Sequence, residues 1–176
     1  MKRHLLPFER AEADLVFGTA LDYERVIVVE DAGWPDTIAR LAARLRSSPP
    51  PSHNAVTLGN HIYFPVQLRT RTGSLDASAL NDMAWLVHEL THVWQYQHSG
   101  PVYIFQALWV QIKLGPQAYG YGWENGLRQA ALDGCTLADF NREQQGEIAR
   151  HFYFRTRQGQ DVSAWLPFAA QFQTPL

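Results

Sequence analysis

The chain has one cysteine, Cys135, in 176 residues. That excludes an internal disulfide framework and any Cys-rich zinc site, and it suits a reducing compartment. Charge is also scarce. Only 18% of residues are charged and the net charge is −2, so there is no basic footprint for nucleic acid or for an anionic membrane surface. Long apolar runs are missing too: the most apolar stretch, 102–114, is interrupted by Gln106, Gln111 and Lys113 and is too short to span a bilayer. The first ten residues start basic but contain no apolar run of signal-peptide length. The expectation is a protein that is cytoplasmic, or exported without a signal peptide. No internal repeat or low-complexity tract is present. The one linker-like stretch, 47–52 with Pro49, Pro50 and Pro51 at its centre, is too short to divide the chain. Residues 1–176 therefore read as a single domain, long enough to bury a core without a stapling metal.

What the chain does have is His88-Glu89-Leu90-Thr91-His92, set in a segment with helical periodicity. On a helix, His88 and His92 are four residues apart and project from one face, where both imidazoles can reach one ion. Glu89 points about 100° away from His88, which places a carboxylate beside the ion and not on it. This is the arrangement of two zinc ligands and a general base. The opposite face carries Met83, Leu86, Val87, Leu90, Val93 and Trp94, with Thr91 and Gln95 on the histidine side, so the helix can bury an apolar stripe and still present its two histidines to a cleft.

The flanking chain supplies a small sheet and further helices. Helical spacing covers 9–19, and 25–30 is β-branched and reads as a strand. Trp34-Pro35-Asp36 opens a second helix running to Arg46. Residues 55–65 form two short strands about a turn at Gly59-Asn60, with His61 a half-exposed strand residue. Asp76 or Ser74 leads into the histidine-bearing helix, and Gly100-Pro101 ends it. A helix follows over 103–114, then the Tyr119-Gly120-Tyr121-Gly122-Trp123 loop, a short helix over 124–132, a long one over 138–157 with Phe140, Ile148, Ala149 and Phe152 inward, and a last short helix or an extended apolar tail at 165–172. Cys135 reads as a small buried residue in a turn. The fold class expected is α+β, with several helices packed on a small sheet.

Two histidines do not complete a catalytic zinc site, which takes three protein ligands and leaves a fourth position open. The chain resembles the zincin metallopeptidases of the glutamate-ligand type. Its Leu15-Val16-Phe17-Gly18, Leu21-Asp22-Tyr23, Thr57-Leu58-Gly59-Asn60-His61-Ile62-Tyr63-Phe64, His88-to-Gln95 and Glu143-Gln144-Gln145-Gly146-Glu147-Ile148 segments are similar, more narrowly, to small zincin-like domains encoded near type VI and related contractile injection systems. The resemblance implies Glu143 as third zinc ligand, on a helix facing the histidine-bearing one. It implies Glu147, where many such peptidases have aspartate, as the carboxylate that orients a zinc-bound imidazole; the two roles can also be exchanged. Gly146 between them would let the two helices approach closely. His151 and Tyr153, a turn or so further on, are candidate donors to a developing oxyanion. The resemblance further implies an edge strand near Ile62-Tyr63-Phe64 that aligns an extended peptide.

These readings lead to an expectation of zinc-dependent peptide-bond hydrolysis with Glu89 as general base, acting on a peptide or protein substrate. The alternative is a catalytically weak or inactive zinc-binding adaptor or cargo domain that works with a component of a bacterial secretion system.

Overall fold

The computed structural model describes residues 1–34, 55–100 and 119–174. The helix expected beyond Trp34, the proline-rich link and the helix expected over 103–114 lie outside the described residues. Within them, five α-helices pack on a four-stranded sheet, the α+β class read from the sequence.

The strands are three residues each: β1 (Lys2–His4), β2 (Ile27–Val29), β3 (Val56–Leu58) and β4 (His61–Tyr63), in the order β1-β2-β4-β3. β1 is antiparallel to β2, β2 is parallel to β4, and β3 and β4 form an antiparallel hairpin pairing Thr57 with Ile62. Gly59 supplies the positive φ, 62°, at the first position of the hairpin turn. Strand alternation turns Val28, Thr57 and Ile62 inward and leaves Ile27, Val29, His61 and Tyr63 half-buried on the other face. The expected edge at Ile62-Tyr63-Phe64 is corrected here. β4 is bonded on both sides, and the edge beside it among the described residues is β3. The strand β1 gave no alternating apolar pattern to read; its backbone pairs with β2 while Arg3 turns inward to a pair of carboxylates.

Helix α1 (Pro7–Phe17) starts with proline at its first turn, where a missing N–H costs nothing. Its Glu9 is fully buried and accepts from Arg3 at 2.7 and 2.8 Å, from Thr70 and from the Leu6 backbone N–H. Arg3 also reaches Glu30 at 2.8 Å, and Arg71 pairs with the same carboxylate. Two buried carboxylates thus tie β1, α1 and the turn at 69–72 into one network, each with enough donors to offset its desolvation.

Helix α2 (Ala77–Ser99) carries the His-Glu-x-x-His segment. Asp76 caps it, accepting from the Ser78 and Ala79 N–H groups at 2.9 Å each, and Gly100 ends it with φ 67°. Met83, Leu86, Val87, Leu90 and Val93 are fully buried, as the apolar stripe requires, but so are Thr91 and Gln95 on the histidine side. That side, expected to face a cleft, is covered by another helix.

The covering element is α4 (Arg142–Arg157), which follows α3 (Trp123–Leu132). The start expected near Ala138 is corrected by four residues. Residues 137–139 form a separate 3-10 turn closed by Thr136 and Asp139, Phe140 is extended, and Asn141 caps the true helix in a reciprocal pair with Gln144. Ile148 and Ala149 are fully buried against the core, with Phe140 and Phe152 packed at its margin. The tail forms α5 (Leu166–Ala169) and a 3-10 turn that sets Phe172 against Phe17 and Trp94.

Candidate metal centre

Packing α2 against α4 brings His88, His92 and Glu143 together. One ligand atom from each lies within 4.8 Å of the others, and all three residues are buried, at 6, 5 and 2% exposure. The Nε2 atoms of His88 and His92 are 3.4 and 3.6 Å from the same Glu143 oxygen, Oε2. The approach depends on Gly146, one turn after Glu143, whose missing side chain leaves room for the His88 ring.

The outer nitrogens show which ring atoms are available. His88 Nδ1 lies 3.0 Å from Glu147 Oε1, and His92 Nδ1 lies 3.0 Å from Gln95 Oε1. The Gln95 amide is oriented by its own Nε2, which donates to the Arg142 carbonyl and to Gln145 Oε1. Gln145 Nε2 in turn donates to the Leu137 and Phe140 carbonyls. An acceptor oxygen thus stands behind each Nδ1, and both Nε2 atoms are turned toward the Glu143 carboxylate; protons on the two Nδ1 atoms would leave the Nε2 lone pairs to a cation. Two imidazole nitrogens and a carboxylate oxygen turned toward one another could hold a cation, and their N,N,O chemistry suits zinc. A proton can take the cation's place. Burial alone would lower the His88 pKa, but the Glu143 and Glu147 carboxylates outweigh it and raise the value to about 10. Burial likewise opposes ionisation of Glu143, and the two imidazoles hold it well below the usual carboxylate range.

Glu89 stands on the same turn with its Oε2 bonded to the Thr57 hydroxyl at 2.7 Å. Glu147 is gripped from outside, by Arg150 at 3.1 Å and His151 Nε2 at 3.5 Å. The Tyr119-to-Trp123 segment closes the outer wall. Tyr119 tilts against His88 with ring centroids 6.2 Å apart, and the Tyr121 hydroxyl, which accepts from Trp165 Nε1, meets His151 Nδ1 at 2.8 Å. Trp123 is 60% exposed, sits at φ 55° and tilts against His151 with ring centroids 4.3 Å apart.

The residues expected from the sequence separate into two groups. His88, Glu89, His92, Glu143 and Glu147 come together, with Glu143 facing both histidines and Glu147 behind one of them. Tyr153 does not join them: it is buried two turns beyond Gly146 along α4, where its hydroxyl donates to Glu12 of α1 at 2.7 Å. Both ring nitrogens of His151 are engaged, by Tyr121 and Glu147, so its place is beside the second carboxylate and not over the ligand set. Gln95, Gln145 and Thr57 were not anticipated. A glutamine three residues after His92 on a helix is the one sequence clue that could have found the first.

Residues 10–100, just over half of the chain, match the model of a family described as the eCIS core domain. The match includes Thr57 and the whole His-Glu-x-x-His segment, and ends before Glu143. Over 113 residues the chain is 38% identical to the type VI secretion system spike protein VgrG2b of Pseudomonas aeruginosa, an alignment covering 62% of this chain and 10% of that protein. The chain thus spans about a tenth of the length of this relative. No solved structure matches it.

Proposed function

The chain belongs to the eCIS core domain family, and on that premise we propose that it is a domain of a contractile injection system whose buried centre binds zinc and hydrolyses peptide bonds. The observation that carries the proposal is the convergence of both imidazole Nε2 atoms on Glu143 Oε2, with an acceptor oxygen 3.0 Å behind each Nδ1. His88, His92 and Glu143 would hold the ion; when bound, zinc supplies Lewis acidity that polarises the scissile carbonyl and acidifies water. Glu89, on the same helical turn, takes the proton of the attacking water at its carboxylate and passes it to the leaving amine. Glu147 and Gln95 keep the imidazole protons at Nδ1. The zincin-like reading of the fold rests on the same pair of facing helices. The peptide or protein substrate belongs to this proposal, as does a secretion-system component as partner.

Two observations favour a second reading, a metal-holding adaptor domain without turnover. The ligand residues are at most 6% exposed, and the relative of matching sequence is a spike protein. One experiment separates the two. Purified chain is analysed for zinc and challenged with a peptide library, with and without chelator, beside Glu89→Gln. Hydrolysis requires about one zinc per chain, loss of cleavage with chelator, and a fall of about 100-fold or more in Glu89→Gln at unchanged zinc content. Zinc without cleavage, together with retention of a secretion-system protein irrespective of Glu89, establishes the adaptor. Absence of stoichiometric zinc after refolding in its presence removes both.

A further inference from the structure

Thr57 faces inward from β3 and is nearly buried. A hydroxyl in that position destabilises the fold unless it is partnered, and valine would fill the same space. Its partner is specific: Thr57 Oγ1 lies 2.7 Å from Glu89 Oε2 and 3.4 Å from the Glu89 backbone carbonyl. A hydroxyl has one proton to give, and the shorter, charge-assisted contact to the carboxylate takes it. The donor itself is rigid. Thr57 is β-branched, and its backbone is fixed by the register that pairs Val56, Thr57 and Leu58 with Tyr63, Ile62 and His61.

We infer that Thr57 is a positioning residue for Glu89. Its hydroxyl pins one carboxylate oxygen, Oε2, and so presents the other, Oε1, as the oxygen that takes the proton. The inference rests on the hydrolytic reading above and adds to it a residue 32 positions away in sequence, on a strand and not on the helix that carries the motif. A glutamate side chain has three rotatable bonds; a fixed hydroxyl removes that freedom before substrate arrives, and misplacement of a reacting group by about 1 Å is enough to lower turnover by about 100-fold.

The test uses Thr57→Val, which keeps the shape and removes the donor, and Thr57→Ser, which keeps the donor. In zinc-loaded protein, Thr57→Val should lower kcat by about 10- to 100-fold with KM and zinc content unchanged, and Thr57→Ser should restore most of it. A second readout does not depend on turnover. In metal-free protein labelled with ¹³C at glutamate carboxyls, the Glu89 resonance, assigned by its loss in Glu89→Gln, should move in Thr57→Val and stay in Thr57→Ser. A Glu89 resonance that ignores Thr57→Val overturns the inference, as does parent-like kcat in that variant. If the parent cleaves nothing, the hydrolytic reading falls, and the resonance alone decides whether Thr57 orients Glu89.

Discussion

Gly146 and His88 touch so closely that no side chain fits between them: a Cβ built on Gly146 would lie 2.7 Å from His88 Cε1 and 2.9 Å from Nδ1. The glycine sets the spacing of α2 and α4, and with it the distance from both imidazoles to Glu143. Gly146→Ala should therefore push the helices apart, lowering stability by about 1–3 kcal/mol and weakening zinc binding by about 10-fold or more. Thermal melts and competitive zinc titration measure the two effects, and a variant with parent values in both would refute the contact.

The two orienting groups predict a graded set of metal affinities. His88→Ala and His92→Ala should abolish stoichiometric zinc. Glu143→Gln, which replaces an anionic ligand by a neutral one, should weaken it strongly, and Glu147→Gln and Gln95→Leu should each weaken it by about 10- to 100-fold. If Glu147→Gln strips the metal and Glu143→Gln retains it, the roles of the two carboxylates are exchanged.

His151 predicts an acid-sensitive fold. Burial drives its pKa down to about 4, with Glu147 opposing, whereas an unfolded histidine titrates near 6.5. The fold accepts the neutral ring, so this contribution is whole above pH 6.5 and is lost as pH falls toward 4, by at most about 3 kcal/mol. Urea melts at pH 7, 5 and 4 should show that loss in the parent and a flatter profile in His151→Gln. Equal slopes would show that the ring is not held neutral.

The carboxylate pair at the N-terminal end gives a further test. Arg3→Met leaves Glu9 and Glu30 buried without the guanidinium that bridges them, and should destabilise the fold by about 3–5 kcal/mol. Replacing Glu9 with glutamine in the same chain should recover part of that loss, because one buried charge is then removed. Denaturant melts of the single and double variants decide the point.

What the sequence made legible was governed by short-range periodicity. His88, Glu89 and His92 are three positions on one helix, and a 3.6-residue repeat fixes their relative directions before any tertiary contact exists. The helix caps at Asp76 and Gly100 and the hairpin around Gly59 are local in the same way. Glu143 and Glu147 were found through a family likeness, and only the packing of α2 on α4 puts them opposite the histidines. Thr57 could not be read at all: nothing in a strand's alternation says which carboxylate, 32 residues away, an inward hydroxyl will meet. The strand β1 escaped because its three residues are polar and pair by backbone alone, and Tyr153 was misdirected because helical spacing gives the face of a residue but not what lies across from it.

The ligand set joins points far apart along the chain. His88 and His92 stay neighbours in any helical fragment, but Glu143 follows His92 by about fifty residues, and closing such a loop carries an entropic cost that the folded core has already met. The unfolded chain therefore offers an ion only the histidine pair, and the folded chain offers three ligands. A metal held at this centre would act as a clasp across the loop: at a free concentration about a thousand times its dissociation constant it would add about 4 kcal/mol to the stability of the domain, and its removal would loosen the strands and α1 along with the helices that would bind it.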